Sequence, residues 1–294
     1  MKDSNIFFIK NFVDRNIPKH KDIVVRDLEE NLEIIETNKL VSEFISQLKS
    51  LQEDDFIEVM ISCFIPDTYR DQGRREKLYT KLAEVVVGEW WYRLGGDIVI
   101  HTAKSGTEDV ELINNNESIV CDAKVFRLGR SQKAPNVKDF LKAASVKLWM
   151  DNLVERYRRI NKKQVSIGGM VTYSSLHEWA RSSEVYQECT NKDLPIIMLP
   201  YEILALLLKN KDRYQLKEFI ELWNYQDRFN KATKLKSDYW KVIDKFIIEL
   251  LGISQEEYLK EIEKYREEIL SSVCKYEDLI YNEMELSEKE IKEK

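Results

Sequence analysis

Two aspartates and a lysine, Asp109, Asp122 and Lys124, are the residues of this chain whose types and spacing are best suited to chemistry. Asp122 and Lys124 are one residue apart, so on a β-strand their side chains lie on the same face. A turn at residues 114–116 would bring Asp109 back beside Asp122. Paired carboxylates hold Mg²⁺, and a neighbouring ammonium group can position the attacking water or exchange a proton with it. The set predicts metal-assisted hydrolysis of a phosphodiester, although a D-x-K pair is also a common surface ion pair.

A β-hairpin is the element that must position these residues. Two short apolar segments, residues 110–113 and 118–126, flank three asparagines that tolerate a tight turn. In the second segment the face opposite Asp122 and Lys124 is apolar, as expected for a strand that packs on a core. Its members are Ile119, Cys121, Ala123 and Val125.

A basic segment follows the hairpin. Residues 124–163 contain twelve Lys or Arg and three acidic residues, a local charge of +9 in a chain whose net charge is −6. Such a segment attracts phosphate, although a solvated basic helix has the same composition. Arg, Gln and Asn read base edges, whereas Lys mostly contacts phosphate. The candidate base readers are Arg127, Arg130, Gln132 and Asn136, and the candidate phosphate contacts are Lys133 and Lys138.

Asp109 followed by Asp122-Ala123-Lys124 fits the PD-(D/E)xK nuclease pattern, with Glu108 in place of the usual proline. The block D-A-K-V-F-R-L-G-R-S-Q-K, residues 122–133, resembles the HindIII family of type II restriction endonucleases. Looser similarities lie at residues 76–79, 201–208 and 221–225, and the resemblance spans roughly residues 72–251.

The resemblance implies an α/β (α+β) fold with a restriction-endonuclease-like core, in which helices flank a mixed β-sheet and further helices are added at both ends. It implies Mg²⁺-dependent, sequence-specific hydrolysis of double-stranded DNA that leaves 5′-phosphate ends, with Mn²⁺ able to substitute. A homodimer acting on a palindromic site is expected, with a cognate DNA methyltransferase as genetic partner. The alternatives are a nuclease of the same fold in DNA repair or structured-DNA processing, and a non-catalytic DNA-binding module.

The resemblance also assigns roles at the site. Asp109 and Asp122 are the expected metal ligands, and Lys124 lies beside the attacking water. A helix before the hairpin often contributes another acidic residue in this superfamily. Glu76, near the start of a helix predicted over residues 70–94, is the catalytic candidate, and Glu89 is its substitute. A glutamate in a first helical turn is equally explained by the helix dipole.

Hydrophobic periodicity predicts three regions that form one compact unit. These are a helical N-terminal region (1–66), a nuclease core with DNA-binding elements (67–235) and a helical C-terminal region (236–294). Within the core, further helices are expected over residues 138–160, 176–188 and 201–209, and strands over 165–173 and 194–199. The charge-rich residues from about 283 onward are expected to fray.

Composition excludes several other classes of protein. Hydrophobic residues make up 43% of the chain and charged residues 33%, and no apolar run is as long as a membrane span. The opening residues 1–4 have no signal-peptide character, so a cytoplasmic location away from membranes is expected. Four cysteines and three histidines are scattered without zinc-ligand or disulfide spacing, and the cysteines are expected to be reduced and mostly buried.

Overall fold

A computed structural model of the chain describes residues 5–17, 29–70, 72–101, 107–127, 140–174, 181–224, 229 and 232–292. The five strands are β1 (Asp97–Ile100), β2 (Val110–Asn114), β3 (Glu117–Ala123), β4 (Val165–Tyr173) and β5 (Ile196–Pro200). They form one sheet in the order β1-β2-β3-β4-β5. Strands β1 to β3 are antiparallel, whereas β4 and β5 are added parallel to β3. The predicted mixed sheet is therefore confirmed.

Helices pack on both faces of this sheet. The N-terminal ones are α1 (Phe8–Asn16), α2 (Glu29–Lys49), α3 (Glu53–Ile61) and α4 (Gly73–Arg93). The others are α5 (Ala143–Arg159), α6 (Glu184–Cys189), α7 (Tyr201–Lys209), α8 (Leu216–Asn224), α9 (Lys236–Leu251) and α10 (Gln255–Lys292). The neighbours Val110 and Glu111 of β2 face α4 and α5 respectively, which places these two helices on opposite faces.

The predicted hairpin is present as β2 and β3. Asn115 has a φ of 54°, a left-handed conformation that asparagine tolerates better than most residues. Val110 is opposite Cys121, and the backbone N–H of Asp109 donates to the Cys121 carbonyl at 3.1 Å. This pairing carries Asp109 to the level of the end of β3. The second strand ends at Ala123 rather than at residue 126.

Helix α4 lies very close to the first strands because of one glycine. A Cβ on Gly88 would stand 3.1 Å from Ile98 Cδ1, so even an alanine here would need the Ile98 side chain to shift by a few tenths of an ångström. Trp91 is buried and its indole N–H donates to the Ile113 carbonyl at 3.0 Å. These contacts fix which side chains of α4 face the end of the hairpin.

Other predicted boundaries also differ from the observed ones. The helix expected over 138–160 begins at Ala143, and the strand expected over 194–199 is Ile196–Pro200. The part of the helix expected over 176–188 that the structure describes begins at Glu184, where Ser183 caps it by accepting a hydrogen bond from the Val185 N–H at 3.3 Å. Before that cap, Ser182 forms a β-bridge with Leu235. Residues 176–180 of that predicted helix, His177 included, lie outside the described residues.

The N-terminal and C-terminal helices contact each other beside the core. Lys10 of α1 forms a 2.8 Å ion pair with Glu283 of α10. Ser62, just after α3, shares a hydrogen bond of 2.9 Å with Ser272 of α10. Helix α10 extends to Lys292, and the fraying expected from about residue 283 stays a prediction. The division into regions 1–66, 67–235 and 236–294 stays a prediction.

The cysteines behave as expected: Cys63, Cys121 and Cys189 are buried free thiols, and Cys274 is exposed. Burial raises the pKa of the Cys121 thiol well above its ordinary value, so this residue packs as an apolar side chain beneath the hairpin. In the part of the chain that the structure describes, no helix is both long enough and apolar enough to cross a bilayer.

Candidate active site

The carboxyl-terminal end of β3 brings the three predicted residues together. Lys124 Nζ lies 2.8 Å from Asp122 Oδ2, and Asp122 also shares a side-chain hydrogen bond with Asp109. The backbone N–H of Ala123 donates to Asp109 Oδ2 at 3.0 Å. Lys124 is anchored through its own N–H, which donates to the Thr172 carbonyl of β4 at 2.8 Å. Two carboxylates and an ammonium group therefore converge on one edge of the sheet.

Asp109 lies in a strongly negative environment. Burial, then the charges of Glu84 and Asp122, raise the pKa of its carboxyl well above the ordinary value. A carboxylate in this position is stabilised in its charged form by a cation placed between it and its neighbours. An all-oxygen set of carboxylate donors is the set that Mg²⁺ and related hard cations prefer. The residues present at this edge therefore fit a divalent metal ion.

Glu84 is the acidic residue that sequence reasoning missed. It lies in the middle of α4, is buried, and forms a close ion pair with Lys81 one turn earlier. The Lys81 ammonium also donates to the His101 carbonyl at 2.8 Å, at the end of β1. A signal was present in the sequence, since Glu84 is the one charged residue in the run Leu82 to Val87. A charge in such a run is buried and needs a partner.

Glu76 and Glu89 have other partners. The Glu76 carboxylate is in close contact with the Arg127 guanidinium, and Glu89 Oε1 lies 2.9 Å from Arg93 Nε. Of the α4 carboxylates, Glu84 is the one whose charge acts on Asp109. Arg127 is turned inward onto Glu76 and its side chain is only 13% exposed. In this structure the Arg127–Glu76 pair holds the chain after Lys124, and the role of Arg127 as a base reader stays a prediction.

The remaining DNA-binding candidates cannot be placed. Arg130, Gln132, Lys133, Asn136 and Lys138 lie outside the described residues, so their roles stay predictions. The two ends of that segment are close together, because the rings of Phe126 and Phe140 stack with centroids 6.3 Å apart. Phe140 also packs edge-on against Tyr173 at 5.2 Å, at the end of β4. Phe126 and Phe140, on either side of that segment, therefore lie near each other beside the end of β4.

A second acidic cluster lies on the face of the sheet that α5 covers, at the start of β2. Ligand atoms of His101, Glu108 and Glu111 lie within 4.8 Å of one another, and this is the one group of three such residues that meets this distance among the residues described. Arg156 of α5 already supplies a positive charge here, with Nη2 at 2.5 Å from Glu108 Oε1 and 3.3 Å from Glu111 Oε2. Burial works to raise the pKa of Glu108, yet hydrogen bonds from His101 and Arg156 hold it below the ordinary value. Glu108 is therefore stabilised in its charged form by groups of the chain itself, whereas the surroundings of Asp109 disfavour its charged form.

Because its surroundings disfavour a charged Asp109, this residue is expected to lower the stability of the metal-free protein at neutral pH. A carboxyl whose pKa is raised by folding binds its proton more tightly in the folded state, so stability falls as pH rises through that pKa. Asp109→Asn removes the charge while its side-chain oxygen can still accept from Ala123. We expect the metal-free variant at neutral pH to melt about 2–4 °C above the wild type, the shift that about 1 kcal/mol produces.

Differential scanning calorimetry in EDTA and then in Mg²⁺ would measure this effect. Mg²⁺ should raise the Tm of the wild type but not that of Asp109→Asn. A variant that melts at or below the wild-type temperature in EDTA would show that Asp109 carries no unfavourable charge.

Comparison with known proteins identifies a family over most of the chain. The family model described as HindIII restriction endonuclease matches residues 24–289. No curated protein sequence matches the chain significantly. Among solved structures, the small subunit (R.BspD6I2) of the heterodimeric restriction endonuclease R.BspD6I is similar at a TM-score of 0.36 and 14% identity, over 62% of this chain and 87% of that chain. The range matched by the family model contains Glu84, Asp109, Asp122 and Lys124.

Proposed function

We propose that this chain, which belongs to the HindIII restriction endonuclease family, is a type II enzyme that uses Mg²⁺ to cut both strands of a specific DNA site. Its membership of that family makes it a restriction nuclease with DNA as substrate. The proposal adds the metal, the residues and the products, which are 5′-phosphate and 3′-hydroxyl ends. The observation that carries it is the convergence of Asp109, Asp122 and Lys124 on one edge of the sheet.

Three carboxylates are proposed to hold the metal. Asp109 and Asp122 lie at the ends of neighbouring strands, and Glu84 approaches from α4. When bound, a divalent cation neutralises charge on the scissile phosphate and lowers the pKa of a coordinated water. The hairpin fixes Asp109 through its N–H and through the bond from Ala123, so little reorganisation of this ligand is needed. Mn²⁺, with similar oxygen preference, is expected to substitute.

Lys124 is proposed to act on the attacking water. Its side chain is 26% exposed, so Lys124 reaches the edge of the site while its Nζ still contacts Asp122. From that position it can orient the water, exchange a proton with it, and stabilise charge that develops on the phosphate oxygens. The bond from its N–H to Thr172 keeps the side chain aligned with β4.

DNA recognition is proposed for the segment between Phe126 and Phe140, two residues that lie near each other beside the end of β4. Arg130, Gln132 and Asn136 are proposed to read bases, and Lys133 and Lys138 to contact phosphates. Arg127 stays a candidate base reader, with its guanidinium engaged by Glu76 in this structure. A cognate DNA methyltransferase that protects the same site is proposed as the genetic partner.

Digestion of a plasmid of known sequence in Mg²⁺ tests the proposal. We expect discrete fragments whose ends map to one short palindrome, and that carry phosphate at the 5′ position, so that a polynucleotide kinase labels them only after phosphatase treatment. Cleavage confined to branched or damaged DNA would favour a repair nuclease of the same fold. Binding without any cleavage would favour a non-catalytic DNA-binding module.

The working unit is proposed to be a homodimer. One Asp109–Asp122–Lys124 centre hydrolyses one strand, and two copies about a twofold axis reach symmetry-related phosphates of a palindrome. Sedimentation with a short cognate duplex in Ca²⁺, which is expected to support binding without turnover, should give two chains per duplex. Concerted cutting of both strands by a single chain bound to DNA would contradict the dimer.

A further inference from the structure

The polar cluster formed by Glu108, Glu111 and Arg156 lies directly beside the proposed metal site. Glu108 precedes Asp109 in the chain, and its carboxylate is 0% exposed. Two groups from different elements hold it: His101 Nε2 at 3.1 Å, from the end of β1, and Arg156 Nη2 at 2.5 Å, from α5. A second nitrogen of the same guanidinium, Nη1, lies 3.4 Å from the other oxygen of Glu108. The residue before Asp109 is thus fixed from two sides.

The same arginine also reaches the residue two positions after Asp109. Its Nη2 lies 3.3 Å from Glu111 Oε2, and Glu111 Oε1 accepts from the Ser118 hydroxyl at 2.8 Å. Gln164 in turn donates to Ser118 at 2.8 Å. The guanidinium therefore ties α5 to the chain on both sides of Asp109. Displacement of Arg156 would leave two buried carboxylates without their shared cation.

We propose that Arg156 is a positioning residue for the metal site: by clamping Glu108 and Glu111 it sets the backbone that presents Asp109 opposite Asp122. This inference rests on the proposed function of the Asp109 site. Two hydrogen bonds hold Asp109: its backbone N–H donates to the Cys121 carbonyl, and its Oδ2 accepts from the Ala123 N–H. Both require the backbone at residues 108–110 to keep its position. A shift of about 1 Å at residue 108 would move the Asp109 carboxylate away from a shared cation.

The chain offers a matched control for Arg156. Arg266 of α10 is also a partly exposed arginine that pairs with a fully buried glutamate, Glu202 of α7, at 3.2 Å. Its side chain is 43% exposed against 32% for Arg156, and Glu202 is 1% exposed. Loss of either pair should lower stability. Loss of the Arg156 pair alone should change how the protein binds metal.

The test compares Arg156→Gln, Arg156→Lys and Arg266→Gln with the wild type in two titrations at a temperature where all are folded. One measures the Mg²⁺ concentration that gives half-maximal cleavage. The other measures the Ca²⁺ concentration that gives half of the rise in Tm, which needs no turnover. We expect Arg156→Gln to raise both concentrations about 10-fold, the scale seen when groups supporting metal ligands are removed.

Arg156→Lys keeps one positive charge but loses the two-pronged contact, so we expect a smaller rise in the same direction. It replaces Arg156→Gln in both titrations if that variant does not fold. Arg266→Gln should lower the Tm while leaving both half-saturating concentrations unchanged. The proposal is overturned if the Arg156 variants lower the Tm but titrate with metal as the wild type does. A wild type that binds Ca²⁺ but cuts no DNA would instead overturn the proposed function and leave the positioning role measurable.

Discussion

Asp122→Asn is expected to reduce the rate of DNA cleavage in Mg²⁺ by about 10³-fold or more, equivalent to about 4 kcal/mol of transition-state stabilisation. Asp122 is buried at the end of β3, where it contacts both Asp109 and Lys124. The substitution keeps the shape of the side chain but removes one of the negative charges that would hold the metal. It also removes the charge that holds the Lys124 ammonium beside the attacking water. Both losses act on the same chemical step.

Single-turnover cleavage of a cognate duplex measures this effect apart from product release. Asp97→Asn is a suitable control, because Asp97 lies in the same sheet but is exposed, and it pairs with Ile113 at the hairpin end away from the site. The control should cut at the wild-type rate. Asp122→Asn should also lose most of its dependence on metal concentration for DNA binding. Near-normal cleavage by this variant would remove Asp122 from the site.

Local sequence patterns were sufficient to predict the hairpin that carries Asp109, Asp122 and Lys124. The alternation of residues in β3 determined which side chains share a face, and three asparagines marked the turn. Strand β4 has the predicted bounds, and its nine residues carry no charged side chain. These features depend on neighbours in the chain, which is why periodicity could predict them. The resemblance to restriction endonucleases then supplied the mixed order of the sheet.

Which glutamate of α4 faces Asp109 could not be predicted, because it depends on how the helix packs on the sheet and not on the spacing of residues in the sequence. Glu76 and Glu84 are both on α4, eight residues or about 12 Å apart along its axis. Which of them faces Asp109 is determined by how far α4 slides along the sheet. The close approach at Gly88 and the indole bond from Trp91 to Ile113 set that position. Neither contact can be read from the hydrophobic stripe of the helix.

The role of Arg156 could not be predicted either, because its partners are distant in the sequence. In the sequence it is one of twelve basic residues between 124 and 163, which together indicate a surface for phosphate. In the structure it is turned toward Glu108 and Glu111, more than 40 residues earlier in the chain. A charge count treats such residues alike, whereas the fold separates those that face solvent from those that neutralise buried carboxylates.

Glu84→Gln is expected to lower the cleavage rate in Mg²⁺ by about 10²–10³-fold, because it removes the third negative charge from the proposed metal site. The charge of Glu84 is the largest electrostatic influence on Asp109 after burial itself. The amide retains the size of the side chain, so packing of α4 against the sheet should persist. Its loss of charge leaves Lys81 with the His101 carbonyl as a partner. The half-saturating Mg²⁺ concentration should rise together with the loss of rate.

Glu76→Gln and Glu89→Gln are the matched controls, since both remove a carboxylate from the same helix. Glu89 is buried and paired with Arg93, and Glu76 is paired with Arg127, so each change breaks an ion pair as Glu84→Gln does. If Glu84 is the metal-site residue, these two variants should keep the wild-type dependence on Mg²⁺ even where they lower the Tm. If instead Glu76→Gln raises the half-saturating Mg²⁺ concentration and Glu84→Gln does not, the residue predicted at the start of the helix is the true ligand, and the proposed site must be rebuilt around it.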